Sequence, residues 1–272
     1  MSNYSFFKSN DFVYSHMLIE SPKDFPLHNH DVCELIYFKK GDVSYMVEGK
    51  IFTPSKNSLL LTHPLENHAV FFNSHVSYER YNILFDEKKL DSCICERISS
   101  NTILLNTDSN TLISDLFKKM DYYCNNFEGY ELQVILMHLV EEVLYNLVLV
   151  SHDSDLSSMY TTNPFIQAAI KYINQNIHIP INVNTLCTEL HMSKSHLHHL
   201  FSEHLMVTPQ KYILSKKLTI AQRELRLGRK PTDVYTDCGF ADYTTFFRAY
   251  KKFFGHSPST EINMDIIRKI QS

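Results

Sequence analysis

Four side chains near the start of the chain have the types and spacing to hold a ligand. They are His28, His30 and Glu34 in the run His28-Asn29-His30-Asp31-Val32-Cys33-Glu34, and His68 in Pro64-Leu65-Glu66-Asn67-His68. His28, His30 and Glu34 share parity, so an extended chain projects all three from one sheet face, and His68 can arrive from a later strand to meet them. Imidazoles with a carboxylate suit a divalent transition metal. The same groups can instead hydrogen-bond a polyhydroxylated small molecule, with Tyr37 or Tyr45 joining them where the strand phase turns either inward, or they can serve structure alone.

A second set of chemistry-bearing residues lies near the C-terminus, in a pattern that occurs twice. Leu186-Cys187-Thr188-Glu189-Leu190-His191-Met192-Ser193 runs on to Leu197 and Phe201, and Val234-Tyr235-Thr236-Asp237-Cys238-Gly239-Phe240 runs on to Phe246 and Tyr250. Each copy reads as a helix, a tight turn and a second helix, the arrangement that inserts a recognition helix into the major groove of DNA. The offset is 48 residues across the first helices and 49 across the second, so the second turn carries one more residue.

If Phe246 and Tyr250 face inward, then Tyr243, Thr244, Phe247 and Arg248 face outward, followed by Lys251 and Lys252. The Arg248 guanidinium suits the two acceptors of guanine, Thr244 can hydrogen-bond a base, and Phe247 can touch a thymine methyl. Lys251 and Lys252 suit phosphate. In the first copy Leu197, Leu200 and Phe201 point in and leave Lys194, Ser195, His198 and His199 outward. Neutral histidines add little electrostatic attraction, so the first helix is the weaker reader.

The elements between these residues set their separation. Pro209 suits the first position of a helix, Gly228 the position past its end, and Leu214, Leu218, Ala221 and Leu225 fall on one face. A connecting helix of roughly 19 residues is about 28 Å long, near the ~34 Å repeat of B-DNA. One chain can thereby enter two successive major grooves.

Residues 163–260 resemble the DNA-binding domain of the AraC family of bacterial transcription regulators. The run from Cys238-Gly239-Phe240 through Phe246-Phe247-Arg248, Lys251-Lys252 and Gly255-His256-Ser257-Pro258 carries that family's turn, recognition helix, basic pair and closing motif. Lys217-Leu218-Thr219-Ile220-Ala221 is similar to its linker-helix motif, with lysine in place of the usual arginine. The sequence departs from the family at Cys187 and Tyr235, where a small alanine is usual, at His191 in place of a turn glycine, and at Met206 in the position matched by Gly255. Tyr235 must be accommodated by repacking. The histidine-x-histidine, three residues, glutamate, six residues, Gly41 spacing resembles the first cupin motif, and many regulators of this family carry a cupin-like sensor.

Charge divides the chain in the same way. Residues 1–162 hold 12 Lys+Arg against 22 Asp+Glu, and residues 163–272 hold 14 against 8, so the halves carry −10 and +6. The basic half suits a polyanion and the acidic half does not. Residues 10–90 read as strands at Val32 to Phe38, Val43 to Val47, Ser58 to Leu61, Ala69 to Phe72 and Tyr78 to Phe85. Thr111 to Met120 and Tyr130 to Val150 read as helices. In the second, Leu132, Leu136, Leu139, Val143, Asn146 and Val150 form a heptad seam that Val140, Leu144 and Leu147 widen into a face able to pack on the barrel and on a second copy, with Asn146 helping to set the register. Ser151 to Asn163 reads as a linker, and Asn163-Pro164 starts a helix whose inner side is Ile166, Ala169, Ile170, Ile173 and Ile177.

The expected architecture is α+β. Residues 1–100 form a cupin-like barrel or jelly roll that senses an effector, 101–155 a helical dimerisation and linker region, and 163–272 an all-α domain with two helix-turn-helix motifs. The resemblance implies a regulator, not an enzyme, with double-stranded operator DNA and a small effector, a sugar or related metabolite, as partners. A homodimer is expected, with RNA polymerase as a further candidate partner. A metal-sensing regulator, or a cupin-type metalloenzyme fused to a DNA module, is the alternative, with His28, His30, Glu34 and His68 as ligands. No cofactor is expected otherwise. The start Met1-Ser2-Asn3-Tyr4-Ser5 lacks a signal pattern and no run of 18 apolar residues occurs, so a cytoplasmic protein without a membrane span is expected. Cys33, Cys93, Cys95, Cys124, Cys187 and Cys238 contain no CxxC pair and read as free thiols. Cys93 and Cys95 alone do not complete a metal site.

Overall fold

A computed structural model describes residues 2–9, 12–98, 103–108, 110–151 and 160–261. The chain divides into two units: Met1–Phe25, Val32–Val47 and Ile51–Thr161 form the first, and Pro26–Asp31, Glu48–Lys50 and Thr162–Ser272 the second. The linker expected over 151–163 falls mostly outside the described residues.

The first unit carries a six-stranded antiparallel sheet, the central strands of a second sheet and a helical layer. Its larger sheet has the order β1-β2-β9-β4-β7-β10, built from β1 (Ser2–Lys8), β2 (Phe12–Ile19), β9 (Tyr78–Phe85), β4 (Cys33–Lys40), β7 (Ser58–Thr62) and β10 (Ile103–Asn106). The other sheet has the order β11-β6-β5-β8-β3 and is centred on β5 (Val43–Val47) and β8 (His68–Phe72), which run antiparallel with Tyr45 opposite Val70. Its remaining strands are β11 (Tyr160–Thr162), β6 (Lys50–Phe52) and β3 (Phe25–His28).

Register assigns every β4 side chain to a face. Glu34 pairs with Thr62 and Leu84, Ile36 with Leu60 and Asn82, and Phe38 with Ser58 and Arg80. This face meets the second sheet in a core of Ile36, Phe38, Leu60, Val43, Tyr45, Val47, Val70 and Tyr78. The alternate residues Cys33, Leu35 and Tyr37 point the other way, because side chains on a strand alternate with period 2, and they join the core under the helices.

Those helices are α1 (Ser92–Arg97), α2 (Thr111–Cys124) and α3 (Gly129–Ser151). Asn110 caps α2 by accepting from the Leu112 N–H at 3.1 Å. Leu132, Leu136, Val140, Val143, Leu144 and Leu147 of α3 are buried with Leu116, Phe117 and Met120 of α2 against the outer face of the large sheet. By length and composition α3 is apolar enough to cross a membrane; one face of it packs in the core, while Tyr130, Tyr145 and Leu149 are exposed. Asp121 fastens the layer to the sheet, accepting from Tyr14 Oη at 2.8 Å and Tyr81 Oη at 3.0 Å and facing His16 Nδ1 at 2.8 Å.

Leu132, Leu136, Leu139 and Val143 of the expected seam are buried within their own unit. Asn146 donates to the Glu142 carbonyl of its own helix at 2.8 Å, as an Asn facing its preceding turn can, so nothing assigns it to setting a register.

The second unit is helical: α4 (Pro164–Asn176), α5 (Val183–Glu189), α6 (Lys194–Leu205), α7 (Pro209–Arg226), α8 (Pro231–Asp237) and α9 (Tyr243–Phe254). Asn163 caps α4 through the Phe165 and Ile166 N–H groups, with Pro164 at the first position. Ile166, Ala169, Ile170, Ile173 and Ile177 are buried. On α7, Leu218, Ala221 and Leu225 are fully buried, but Leu214 is 37 % exposed, and Ile213 occupies the inner face one turn before Lys217. The expected stripe is displaced because Lys217 is itself buried, and four-residue steps from Leu225 and Ala221 lead back through Lys217 to Ile213.

Candidate functional site

In the barrel, strand phase sorts the candidate residues on β4: Glu34 and Tyr37 project from opposite faces. Glu34 points into the space between the sheets and is 6 % exposed. His68 comes to it from β8, its Nε2 standing 3.2 Å from Glu34 Oε2. Tyr45 is also inside, with its hydroxyl hydrogen-bonded to that of Tyr78. Tyr37 is not; it stacks on Phe117 at 4.5 Å under the helical layer, since its parity is opposite to that of Glu34.

The run from His28 to Glu34 is not one strand. β3 ends at His28, β4 begins at Cys33, and a bend lies at Asp31 and Val32, so parity cannot be carried across it. His28 and His30 belong to the segment grouped with the second unit. Their rings lie 6.2 Å apart, and His28 Nδ1 bonds the Pro26 carbonyl at 2.9 Å.

Residues not singled out by spacing complete the barrel cluster. Arg80 is opposite Phe38 on β9, its guanidinium 3.9 Å from Glu34 Oε1, 5.5 Å from the Phe25 ring centre and 5.7 Å from that of Tyr78. Arg80 Nε, Asn82 Oδ1 and Thr62 Oγ1 are buried without a hydrogen-bond partner among the described residues. Their signal was the register itself: they occupy inward positions on strands flanking Glu34.

Burial alone lowers the His68 pKa, but the hydrogen bond and negative charge of Glu34 outweigh it, and the value is raised above the usual 6.5. Glu34 thus has a cationic guanidinium on one side and a protonatable imidazole on the other. Unpartnered donors and acceptors beside this pair can hydrogen-bond a polar molecule.

In the second unit α5 and α6 form one helix-turn-helix, and α8 and α9 the other. Residues 190–193 make the first turn and 238–242 the second, which reproduces the extra residue. His191 (φ 52°) adopts the left-handed conformation that Gly239 (φ 67°) supplies in the other copy, and Met206 (φ 56°) does so for Gly255 (φ 81°). A Cβ on Gly239 would stand 2.3 Å from the Ile179 carbonyl oxygen, so glycine is required there.

Ser193 caps α6 through the His196 N–H, and Asp242 caps α9 through the Thr245 N–H. Leu197, Phe201, Phe246 and Tyr250 are fully buried. Thr244, Arg248, Lys251 and Lys252 are exposed, as are Lys194, Ser195 and His199. Phe247 and Tyr243 are half-buried; Tyr243 packs edge-on against Tyr235 with ring centres 5.8 Å apart, which is how the bulky residue is accommodated. His198 is half-buried beside Gln210 Nε2 at 3.3 Å, and His199 faces Glu203 at 3.3 Å. The first recognition helix therefore offers Lys194 and Ser195 more freely than its histidines.

Two short segments complete this unit on α7. Arg226 donates from one nitrogen to both Asp31 oxygens at 2.8 Å and through Nε to Glu261 at 3.2 Å. Lys216 pairs with Glu48 at 3.1 Å, and Tyr212 Oη donates to the same carboxylate at 3.0 Å.

A sheet domain with a buried polar cluster, together with paired helix-turn-helix units, defines a one-component regulator of transcription. Residues 20–147 match the AraC-like ligand binding domain and residues 186–263 a helix-turn-helix domain, and the chain belongs to the AraC family. It is 24 % identical over 263 residues to the raffinose operon transcriptional regulatory protein RafR of Pediococcus pentosaceus, covering 95 % of this chain and 88 % of that one. Over 95 residues it is 30 % identical to the regulatory protein SoxS of Salmonella typhimurium, covering 35 % of this chain and 89 % of that one. Among solved structures, ToxT from Vibrio cholerae aligns over 94 % of this chain and 99 % of its own, with 14 % identity and a TM-score of 0.40. The relatives are regulators, and the chain is not an enzyme.

Proposed function

We propose that the barrel binds a sugar or related polyhydroxylated metabolite between its sheets and that this binding sets the affinity of the paired helix-turn-helix units for an operator. The observation that carries the reading is the inward cluster of Glu34, His68, Arg80, Asn82, Tyr45 and Thr62, in which Arg80 Nε, Asn82 Oδ1 and Thr62 Oγ1 have no hydrogen-bond partner among the described residues. Buried polar groups left unpaired are costly, and hydroxyl groups of a ligand satisfy both donors and acceptors. The raffinose operon that RafR regulates supports a sugar.

On the DNA side, Arg248 and Thr244 read bases from α9, Phe247 and Tyr243 line its base-facing edge, and Lys251 and Lys252 hold phosphate. Lys194 and Ser195 lead from α6, with His198 and His199 in supporting positions. At 18 residues α7 is about 27 Å long at 1.5 Å per residue, close to one turn of the duplex. Exposed Leu112, Tyr122, Tyr145 and Leu149 on the outer side of α2 and α3 support a homodimer through the helical layer, with RNA polymerase as a further partner at the promoter. A cytoplasmic location follows from DNA as the target.

Effector control requires different affinities for the effector in the DNA-competent and other states. Selection of bound duplexes from a randomised pool, followed by titration of the selected DNA with and without candidate mono- and oligosaccharides, tests the reading. A sugar that shifts both the melting temperature and the operator affinity supports it; sugars that shift neither refute it.

A further inference from the structure

A second cluster in the barrel unit faces away from the interior and takes no part in the effector site. Cys33 opens β4, His63 immediately follows β7, and Glu87 lies two residues past the end of β9. These strands are neighbours in the order β9-β4-β7. Cys33 is opposite Phe85, and its neighbour Glu34 is opposite Thr62. The register thus brings three chain ends together at one end of the sheet. One ligand atom from each of Cys33, His63 and Glu87 lies within 4.8 Å of the others.

Cys33 is 2 % exposed and His63 9 %. Cys33 Sγ stands 3.7 Å from Glu87 Oε2. The backbone holds His63 in place: its N–H donates to Glu66 Oε2 at 2.8 Å and its carbonyl accepts from the Glu66 N–H at 3.2 Å. Its ring Nε2, however, is buried with no hydrogen-bond partner among the described residues. A buried imidazole that carries an unpaired nitrogen and has a ring atom close to a thiol and a carboxylate is the arrangement expected of a ligand set.

We propose that Cys33, His63 and Glu87 form a binding site for a borderline divalent cation of the zinc class. A sulfur, an imidazole nitrogen and a carboxylate oxygen are the three ligand types zinc takes, with bonds of about 2.0–2.3 Å, and small side-chain rotations close the present separations to a tetrahedral edge. The thiol loses its proton to solvent as the sulfur–metal bond forms, so binding releases one proton. Three protein ligands leave a fourth position for water or an exogenous ligand. Because Cys33 adjoins Glu34 on β4, the metal fixes the end of the strand that carries the effector-facing carboxylate.

The test is titration of chelator-treated full-length protein with Co²⁺, which reports thiolate ligation by charge-transfer absorption and tetrahedral geometry by intensified visible bands, followed by displacement with Zn²⁺. One equivalent with both signatures is expected. Cys33→Ser should abolish the charge-transfer band, and His63→Gln and Glu87→Gln should each weaken binding by more than the roughly 10–100-fold that loss of an outer-shell partner costs. Cys93→Ser/Cys95→Ser, which removes the two exposed thiols, should leave the signal intact. Far-ultraviolet circular dichroism of each variant establishes that it is folded. A Co²⁺ signal that follows Cys93 and Cys95, or no thiolate signal in the folded wild-type protein, overturns the proposal.

Discussion

The Lys217 ammonium, 5 % exposed, donates to the Gly239 carbonyl at 2.6 Å and to the Ile179 carbonyl at 3.1 Å. The connecting helix is thereby fastened to the turn of the second helix-turn-helix. Burial lowers the Lys217 pKa from its usual value, yet the two carbonyls are satisfied only while the amine stays as their donor. Lys217→Met should cost about 1–3 kcal/mol, the range for leaving buried acceptors unpaired. Gly239→Ala should cost at least as much, because its Cβ meets the Ile179 carbonyl and its φ is positive. Urea denaturation read by circular dichroism measures both.

Arg248 and the two lysines after it should fail differently. Arg248→Ala should relax preference at one base pair, with a loss of about 1–3 kcal/mol on the selected site, whereas Lys251→Gln and Lys252→Gln should weaken binding to all sequences and each reduce the salt slope by about one. Binding isotherms on matched and mismatched duplexes at several salt concentrations separate the two outcomes. Unchanged selectivity in Arg248→Ala removes it from the readout set.

The His68–Glu34 pair makes barrel stability depend on pH. Because the folded-state pKa of His68 is raised above 6.5, its contribution is complete below the unfolded value and is lost as pH rises through the folded one. The melting temperature should fall from pH 6 towards pH 8.5 by more in the wild type than in His68→Gln. Equal slopes contradict the pairing.

Asp121 acts in the opposite direction. Burial raises its pKa, but hydrogen bonds from His16, Tyr14 and Ser5 outweigh this and lower it below 3.8, so its contribution is present above that value and disappears as pH falls through the folded pKa. Asp121→Asn should lower stability at neutral pH by about 1–3 kcal/mol and flatten the acid limb of the unfolding curve.

Arg80 should be separable from DNA binding. Arg80→Met should abolish the sugar-induced shift in melting temperature while leaving operator affinity in the absence of sugar within about twofold, as measured by fluorescence anisotropy. A preserved sugar response shows that the effector lies elsewhere.

Helix ends are the most legible part of the fold. Asn163-Pro164, Pro209 and Gly228 mark them by local chemistry, so α4 and α7 fall where capping places them. The duplicated helix-turn-helix was readable because its buried residues recur at fixed offsets. Strand phase across a bend was not: parity from His28 to Glu34 assumes one strand, and the chain bends at Asp31 and Val32. Arg80, Asn82 and Thr62 depend on which strands neighbour β4, a long-range pairing that local spacing does not carry. Leu214 lies off the inner face of α7 because a buried lysine there breaks the rule that charge marks the solvent side.

One chain should present two recognition helices to successive grooves on one face of the duplex, and hydroxyl-radical footprinting of the full-length protein on its selected operator reads this out. Two protected patches are expected for each protein bound, centred about one helical turn apart and on the same face, with the second patch weakened by Arg248→Ala. A single protected patch per bound chain, or protection unchanged by that substitution, contradicts it.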